Sequence, residues 1–220
     1  MARRQALDIE TLKLEVEAGL IDTVAVSITD MQGRLVGKRI HAQFFVDEVI
    51  AHGTEGCNYL LAVDVDMNTV EGYAMSSWDT GYGDLVMRPD FTTLHRLPWE
   101  PGAVGVLCDA LWEDGTDIVA SPRQILRRQL SRLSDAGMGA FVGTELEFIL
   151  FEDTYEEAWH AGYRDLTPAN LYNIDYSMLG GARVEPLLRR IRNEMYEAGM
   201  VVESAKGECN LGQHEIAFRY

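Results

Sequence analysis

Four glutamates in two short segments form the most informative chemical pattern of this chain. Glu145 and Glu147 are separated by one residue, and Glu208 and Glu215 flank a bend at Gly212. Both segments are otherwise apolar enough to predict buried strands. A carboxylate is costly to bury unless a cation or hydrogen bonds compensate it. Two such pairs, far apart in sequence, therefore predict one divalent-metal site that is assembled by folding.

The spacing of Glu145 and Glu147 predicts that both carboxylates project from one face of a strand, because alternate residues of a strand share a face. Two neighbouring carboxylates repel each other unless a proton or a metal ion lies between them. Oxygen ligands without cysteine or paired histidines favour Mg²⁺ or Mn²⁺ over zinc. The alternative interpretation is the solvated polar face of an ordinary strand. His214 alternates away from Glu215 and is not required as a ligand.

Composition excludes several classes of partner. The chain has 220 residues, of which 19 are basic and 35 acidic, giving a formal net charge of −16. This balance argues against a nucleic-acid partner and against an anionic membrane surface. Its three cysteines form no Cys-x-x-Cys pair, which predicts reduced thiols. We find neither a signal peptide nor an apolar run that approaches a membrane span of ~20 residues, so we expect a cytoplasmic protein.

The elements that must position these residues follow from hydrophobic periodicity. In the first half, a small α+β domain is predicted to end near residue 112, with a long loop at 66–80 that is a candidate functional segment. A second unit begins with a helix at Ser121-Pro122, whose apolar stripe is expected to pack in a core. That stripe consists of Ile125, Leu126, Leu130 and Leu133. Helices are predicted at 8–19, 41–51 and 184–199, strands at 23–29, 34–40, 58–65, 84–87, 104–111, 139–151, 200–202 and 212–220, and a loop at 152–182.

The two glutamate segments resemble the metal-binding strands of the glutamine synthetase family. The matching segments are Gly143-Thr-Glu-Leu-Glu-Phe148 and Glu208 to Glu215 with its Gly-Gln-His-Glu ending. Asp84 to Asp90 with Leu97-Pro-Trp99 resembles the family's N-terminal β-grasp domain, and 117–126 resembles the bridge into its catalytic domain. The resemblance implies an α+β fold: a β-grasp domain at 1–112, then the first, incomplete part of a glutamine-synthetase-type catalytic α/β domain at 113–220. In motif style the chain is closest to glutamate–amine ligases.

The resemblance also implies a reaction and a set of site residues. The family uses ATP to phosphorylate the γ-carboxylate of glutamate, and an amine then displaces phosphate. Glu147, Glu208 and Glu215 would hold the Mg²⁺ or Mn²⁺ ion nearer the glutamate, and Glu145 the ion that bridges the ATP phosphates. Glu203 matches a position near the nucleotide, with an exposed acid at a strand end as the alternative.

Asp66 opens a loop whose sequence departs from that of ammonia-using members. In the family, an aspartate on a flexible loop helps to remove a proton from the ammonium and reaches the active site of the neighbouring subunit. By resemblance this catalytic residue is Asp66. Ammonia-using members read Asp-Gly-Ser-Ser, whereas this chain reads Asp-Met-Asn-Thr. The difference favours an amine larger than ammonia, and sequence drift is the alternative explanation.

A second part of this loop points to the same substrate class. Residues 74–83 resemble members that ligate glutamate to ethanolamine or polyamines. Glu71 and Asp79 are expected to attract a cationic amine and Trp78 to contact it, with an ordinary packed loop as the alternative. Tyr176 matches a tyrosine that lines the family's ammonium pocket.

Three hypotheses follow for the function. Family members extend far beyond the Gly-Gln-His-Glu strand and form homo-oligomeric rings with active sites between subunits. The first hypothesis is therefore part of a glutamate–amine ligase, with the 220-residue chain alone inactive. An ammonia-using glutamine synthetase is the alternative within this hypothesis. The second is a truncated, non-catalytic family member that acts as a structural or binding module. The third is an unrelated α+β protein with solvated acidic strands.

Overall fold

The computed structural model describes residues 7–75 and 81–219, and the chain forms two compact units, Met1–Phe141 and Val142–Tyr220. Each unit is described by itself. Trp78 and Asp79 lie outside the described residues, so their predicted contacts with an amine remain predictions. Within the described ranges, no helix is both long and apolar enough to cross a membrane.

The first unit is built on a twisted mixed sheet. Its strands run in the order β2-β1-β6-β4-β3, and β5 pairs with β6. The β1–β6 pair is parallel and the other pairs are antiparallel. The strands are β1 Thr23–Thr29, β2 Leu35–His41, β3 Thr54–Cys57, β4 Asp84–Pro89, β5 His95–Arg96 and β6 Ala103–Leu111.

Helices and short turns complete the core of this unit. They are α1 Ile9–Glu17, α2 Ala42–Phe44, a π-helical turn Phe45–Val49, α3 Ile50–His52 and α4 Pro122–Asp135, with 3₁₀ turns at Asn58–Leu61 and Phe91–Thr93. Asp8 opens the predicted helix 8–19 and caps α1, since its carboxylate accepts a hydrogen bond from the Thr11 amide at 2.7 Å. Alternate residues of β1 are buried, as its period-2 pattern predicts.

Two local predictions in this unit are wrong. The apolar run 58–65 was expected to be a strand, but it forms the 3₁₀ turn followed by a bend. The helical pattern of 41–51 predicts that Phe44 faces inward, yet its side chain is 55% exposed while Phe45 and Val49 are buried. Phe44 precedes the π-helical turn, whose buried residues are Phe45 and Val49, so the prediction placed the start of the inward face one residue too early.

Helix α4 begins at the predicted residue but does not bury the predicted stripe. Three residues of its apolar stripe are exposed, whereas Gln124 is the residue it buries. Arg123 donates to Asp109 at 2.9 Å and also pairs with Asp90, and Arg127 pairs with Asp109. These ion pairs fix the rotation of the helix so that its arginines face β6. The exposed stripe residues are Ile125, Leu126 and Leu130.

The second unit is a three-stranded antiparallel sheet in the order β7-β9-β8. Its strands are β7 Leu146–Ile149, β8 Val201–Gly207 and β9 Gln213–Arg219, and its helices are α5 Tyr155–His160, α6 Met178–Gly181 and α7 Glu185–Glu197. Leu188 and Met195 of α7 pack with Ile216 of β9 in a small core. Strand β7 is shorter than the predicted 139–151, and the predicted loop 152–182 contains two short helices.

A β-bulge in β8 changes which residues face this core. Val202 pairs with Phe218, but Ser204 already pairs with Ala217, so the strand carries one extra residue at Glu203. Val202 and Ala205 both pack against the small core. After the bulge, the next residue along, Lys206, therefore points to the opposite face of the sheet.

The predicted start of a catalytic domain near residue 113 remains a prediction. By compactness the units meet at Phe141 and Val142, because α4 packs against β1 and β6 of the first unit. The boundary of a compact unit can differ from that of a domain in a longer protein. Here α4 packs on the first unit, although the predicted catalytic domain would include it.

Candidate functional site

Strand pairing in the second unit brings the two glutamate segments together. Glu147 of β7 lies directly opposite Glu215 of β9, and Lys206 of β8 lies opposite Glu215 on the other side. Directly opposite residues of antiparallel strands project from the same face. His214 and Ile216 alternate to the other face, where both are fully buried. The sheet therefore separates an acidic face from an apolar one, as the alternation of the sequence predicts.

Lys206 is the centre of the acidic face, and sequence reasoning missed it. Its ammonium lies 3.0 Å from Glu215 Oε2 and forms a closer ion pair with Glu208. Asp175 Oδ1 lies 3.8 Å away, and the Tyr176 ring lies below the ammonium with its centroid at 4.6 Å. The signal available in the sequence was the Lys-Gly-Glu spacing, which places Lys206 and Glu208 on one face. The pairing of Lys206 with Glu215 required the register of β8 and β9.

The charges of this cluster hold one another ionised. Burial alone would lower the pKa of Lys206, but hydrogen bonds to Glu208 and Glu215 outweigh it, so its pKa is raised. The hydrogen bond from Lys206 is also the largest influence on Glu208, whose pKa is lowered. The side chains of Lys206, Glu208 and Glu215 are 22%, 18% and 18% exposed. Charges that are shielded from water to this extent interact more strongly than surface charges.

A cavity of about 950 Å³ opens beside this cluster, and three of the four predicted metal ligands line it: Glu145, Glu208 and Glu215. Its wall also carries Tyr176 and Lys206, together with apolar side chains that include Met178 and Leu188. The cavity thus combines carboxylates with an apolar wall, which suits a ligand that carries both a cationic and an apolar part.

Glu147, the fourth predicted ligand, is held differently. It lies on the same sheet face, but it is exposed and its Oε2 accepts a hydrogen bond from Gln213 Nε2 at 2.5 Å. Glu203, the predicted nucleotide-side residue, sits at the β-bulge, where it pairs with Arg219 and does not line the cavity. Glu145, Glu208 and Glu215 therefore share one cavity wall, with Glu147 on the same sheet face, but among the described residues the ligand atoms of these four glutamates do not form a group of three within 4.8 Å of one another.

The donor atoms fit a hard divalent cation. Glu208 and Glu215 already share one cation, the Lys206 ammonium, so their oxygens converge on a common position. Among the described residues, three potential ligand atoms within 4.8 Å of one another occur at Asp175, Glu208 and Cys209. The Cys209 thiol donates to Asp175 Oδ2 at 3.5 Å, and this hydrogen bond raises the pKa of the thiol. A protonated thiol is a poor ligand, so oxygen donors dominate the site.

Asp66, the predicted catalytic residue, lies in the first unit on a loop that is tied to the β1–β2 turn. Its amide donates to Asp64 Oδ1 at 2.9 Å, and its side chain is exposed. Arg34 donates to the carbonyl of Asp64 at 3.0 Å and to that of Val65 at 2.5 Å. Asp30, fully buried, anchors Arg34 through its Nε at 2.7 Å. The loop that carries Asp66 is thus held by Arg34 and by the Asp64 carboxylate, and the Asp66 side chain is exposed.

The sequence of this chain matches known proteins over the segments that carry these residues. Residues 119–220 match the family described as "Glutamine synthetase, catalytic domain". Over 218 residues, which are 99% of this chain, the sequence is 68% identical to gamma-glutamylethanolamide synthetase GlnA4 of Streptomyces coelicolor. The chain belongs to the glutamine synthetase family. The resemblance predicted from the glutamate segments is therefore confirmed.

Other members of the glutamine synthetase family are more distant. A glutamate–isopropylamine ligase of Pseudomonas sp is 31% identical over 93% of this chain. A glutamine synthetase of Thermotoga maritima is 26% identical over 97% of it. The chain spans less than half the length of these relatives, covering 47% of the Streptomyces, 45% of the Pseudomonas and 45% of the Thermotoga protein.

Solved structures of the glutamine synthetase family share the fold. An apo GmaS without ligand superposes with a TM-score of 0.72 at 22% identity, covering 94% of this chain and 44% of the other. A novel glutamine synthase homolog gives a TM-score of 0.66 at 19% identity, covering 89% and 43%. At these identities the likeness establishes the fold alone, a mixed α/β fold. The expectation of mixed helix and strand is confirmed, and the finer assignment of a β-grasp domain remains a prediction.

Proposed function

We propose that this chain supplies the N-terminal part of an ATP-dependent ligase that joins the γ-carboxylate of glutamate to a primary amine. The observation that carries the proposal is the 68% identity to a gamma-glutamylethanolamide synthetase, which extends over 99% of the chain. The identity spans both the loop at Asp66 and the acidic sheet face, so the parts proposed to handle the amine and the metal lie within one alignment.

The proposed reaction has two steps. In the first, the γ-phosphoryl group of ATP is transferred to a γ-carboxylate oxygen of glutamate, and ADP leaves. In the second, the nitrogen of the amine attacks the acyl carbon, the C–N bond forms, the C–O bond to phosphate breaks, and inorganic phosphate leaves. The attacking amine must be uncharged, so a proton has to leave its ammonium form. We propose that Asp66 accepts it, which suits a carboxylate whose side chain is exposed.

The carboxylates are proposed to hold two Mg²⁺ or Mn²⁺ ions. Glu147, Glu208 and Glu215 would bind one ion and Glu145 the other, while Glu203 would lie toward the nucleotide. When bound, such ions neutralise the negative charge of the transferred phosphoryl group. The convergence of Glu208 and Glu215 on a single cation supports this assignment. Gln213 supports it as well, because its amide donates to Glu147 and holds that carboxylate on the same face.

The amine is proposed to be small and hydroxylated or alkylated, with ethanolamine as the first candidate. The ring of Tyr176 on the wall of this cavity suits an ammonium group, because an aromatic face attracts a cation. The apolar wall at Met178 and Leu188 gives space for carbon atoms that ammonia lacks. The departure of Asp66-Met67-Asn68-Thr69 from the ammonia-using pattern supports the same substrate class.

The proposal also covers the type of the first domain, the cellular location and the oligomeric state. The first unit would be the β-grasp domain of the family, and the protein would work in the cytoplasm as a homo-oligomeric ring with active sites between subunits. In such a ring Asp66 would act in the site of a neighbouring subunit.

The test is an ADP and phosphate release assay on the protein expressed from its natural reading frame, with glutamate, Mg²⁺-ATP and a panel of amines. We expect ethanolamine to give the highest kcat/KM among ethanolamine, isopropylamine, putrescine and ammonium. Replacing Glu147 by alanine is expected to lower kcat/KM by about 100-fold or more, because a metal ligand is lost. Glu152→Ala is the matched control, since Glu152 is an exposed carboxylate of the same unit that pairs with Arg183.

Two results would contradict the proposal. A preference for ammonium would remove the amine specificity and leave a glutamine synthetase. Phosphate release that is unchanged in Glu147→Ala, or absent with every amine, would remove the metal assignment or the ligase itself.

A further inference from the structure

The Lys206 ammonium occupies the position on which the proposed metal ligands converge. It contacts Glu208 and Glu215 at once, at 3.0 Å from Glu215 Oε2 and closer to Glu208, with Asp175 Oδ1 at 3.8 Å. These contacts follow from strand pairing, because Lys206 lies opposite Glu215 in register and Glu208 lies two residues further along the same face. The backbone of β8 and β9 therefore places the Lys206 side chain on the same face as these carboxylates.

The charge balance of this cluster leaves room for a second cation. Asp175, Glu208 and Glu215 carry three negative charges, and Lys206 carries one positive charge, which leaves two negative charges uncompensated. Glu145 on the same cavity wall adds a further one. Without Lys206 the carboxylates would repel one another in a partly buried site. A divalent ion would balance the charge better than a single ammonium does.

An ion that binds both Glu208 and Glu215 needs the oxygens that Lys206 now uses. The lysine side chain has a flexible four-carbon stem, so its ammonium can leave without movement of the backbone. The cavity beside it offers space for the released side chain. We propose that Lys206 holds Glu208 and Glu215 together in the metal-free protein and is displaced when a divalent cation binds. This inference rests on the proposed function, because it takes these glutamates as metal ligands.

The displacement makes Lys206 a positioning residue with two opposed effects. It keeps the carboxylates in place before the metal arrives, and it competes with the metal for them. A salt bridge with a purely structural role would stabilise the fold and leave metal affinity unchanged, or lower that affinity when it is lost. The sign of the change in metal affinity therefore separates the two roles.

The experiment measures Mn²⁺ binding by electron paramagnetic resonance of the free ion, with the protein expressed from its natural reading frame. We expect Lys206→Met to bind Mn²⁺ about tenfold more tightly, because a competing positive charge next to the ligands is removed. Lys206→Arg keeps the charge and is expected to bind Mn²⁺ no more tightly than the unmodified protein. Arg219→Met is the matched control, since it removes a positive charge from the same sheet but from a pair with Glu203.

A second measurement applies to the unmodified protein and does not depend on any variant folding. Mn²⁺ is expected to increase several-fold the rate at which an N-hydroxysuccinimide ester acetylates Lys206, followed by mass spectrometry, with Lys13 as the internal reference on the first unit. Displacement frees the amine for reaction, so a rate that is unchanged by Mn²⁺ would overturn the inference. Equal or weaker Mn²⁺ binding by Lys206→Met would overturn it too, as would the absence of Mn²⁺ binding by all variants.

The failure of this inference differs from that of the proposed function. Amine-dependent phosphate release together with unchanged Mn²⁺ affinity in Lys206→Met would refute the displacement alone. Tighter Mn²⁺ binding by Lys206→Met without phosphate release from any amine would support the displacement and refute the ligase.

Discussion

Gly212 connects the two predicted ligands Glu208 and Glu215, and its conformation admits no other residue without strain. Its φ of +69° lies in the left-handed region, and a Cβ atom at this position would lie 2.6 Å from the carbonyl oxygen of Leu150. The Gly212 carbonyl in turn accepts a hydrogen bond from the Leu150 amide at 2.9 Å. The close approach of these two segments holds the β9 end of the site against the end of β7.

The expected cost of Gly212→Ala is the sum of two effects. A non-glycine residue in the left-handed region costs about 1–2 kcal/mol. Forcing a methyl group against a backbone carbonyl requires a shift that costs about 1–3 kcal/mol. We therefore expect Gly212→Ala to lower the free energy of unfolding of the second unit by about 2–5 kcal/mol.

Two variants in the same unit separate these effects. Gly162 has a φ of +61° with no atom within 4 Å of a Cβ, so Gly162→Ala isolates the backbone strain. Gly207 would place its Cβ 2.5 Å from the Ile174 carbonyl oxygen without a positive φ, so Gly207→Ala isolates the steric clash. The assay is urea unfolding followed by pulsed hydrogen exchange of peptides from residues 142–219. A loss in Gly212→Ala no larger than in Gly162→Ala would refute the close approach to Leu150.

Two further predictions concern the first unit. Burial raises the pKa of the Cys108 thiol to about 12, so at pH 8 roughly one thiol in ten thousand is ionised. Iodoacetamide should therefore label Cys57 and Cys209 in the native protein, but Cys108 only after addition of urea. Equal labelling rates for Cys108 and Cys209 in the native protein would contradict this prediction. Burial opposes the ionisation of Asp30, but hydrogen bonds from Arg34 outweigh this effect and lower the pKa of Asp30 below 3.8. The stability that the ionised Asp30 contributes is therefore present above about pH 4 and is lost as the pH falls below that value. Asp30→Ala should cost about 3 kcal/mol at pH 7 and flatten the acid limb of the unfolding curve, and an unchanged acid limb would show that this carboxylate is not linked to folding.

Sequence reasoning succeeded where one periodic signal determined the structure. Alternation in β1 gave its bounds and its buried face, and the Ser121-Pro122 start gave the first residue of α4. It failed where contacts distant in sequence decide the outcome. The rotation of α4 depends on ion pairs of its arginines with Asp109 and Asp90, so an apolar stripe alone could not tell which face packs. Helix α5 could have been found, because Thr154 and Glu157 form a capping box.

The candidate site also has a part that the sequence predicts and a part that it does not. The carboxylates were visible as spacing, and the family resemblance assembled them into one set. The role of Lys206 was not visible, because it depends on which residue of β9 lies opposite it, and strand register is not encoded locally. The distinct position of Glu147, held through Gln213, also became visible only with that register.

The β-bulge at Glu203 has a consequence for how this strand can change in length. Because the bulge takes up one residue between Val202 and Ser204, the residues on either side of it are out of phase. Deleting Glu203 would restore a regular strand and leave Lys206 opposite Glu215, because Val202 and Ser204 already pair with the consecutive residues Phe218 and Ala217. An inserted residue could not be absorbed in this way, and it would turn Lys206 toward the apolar core or shift it to another partner on β9. The strand can therefore lose one residue at the bulge without exchanging its acidic and apolar faces, but it cannot gain one.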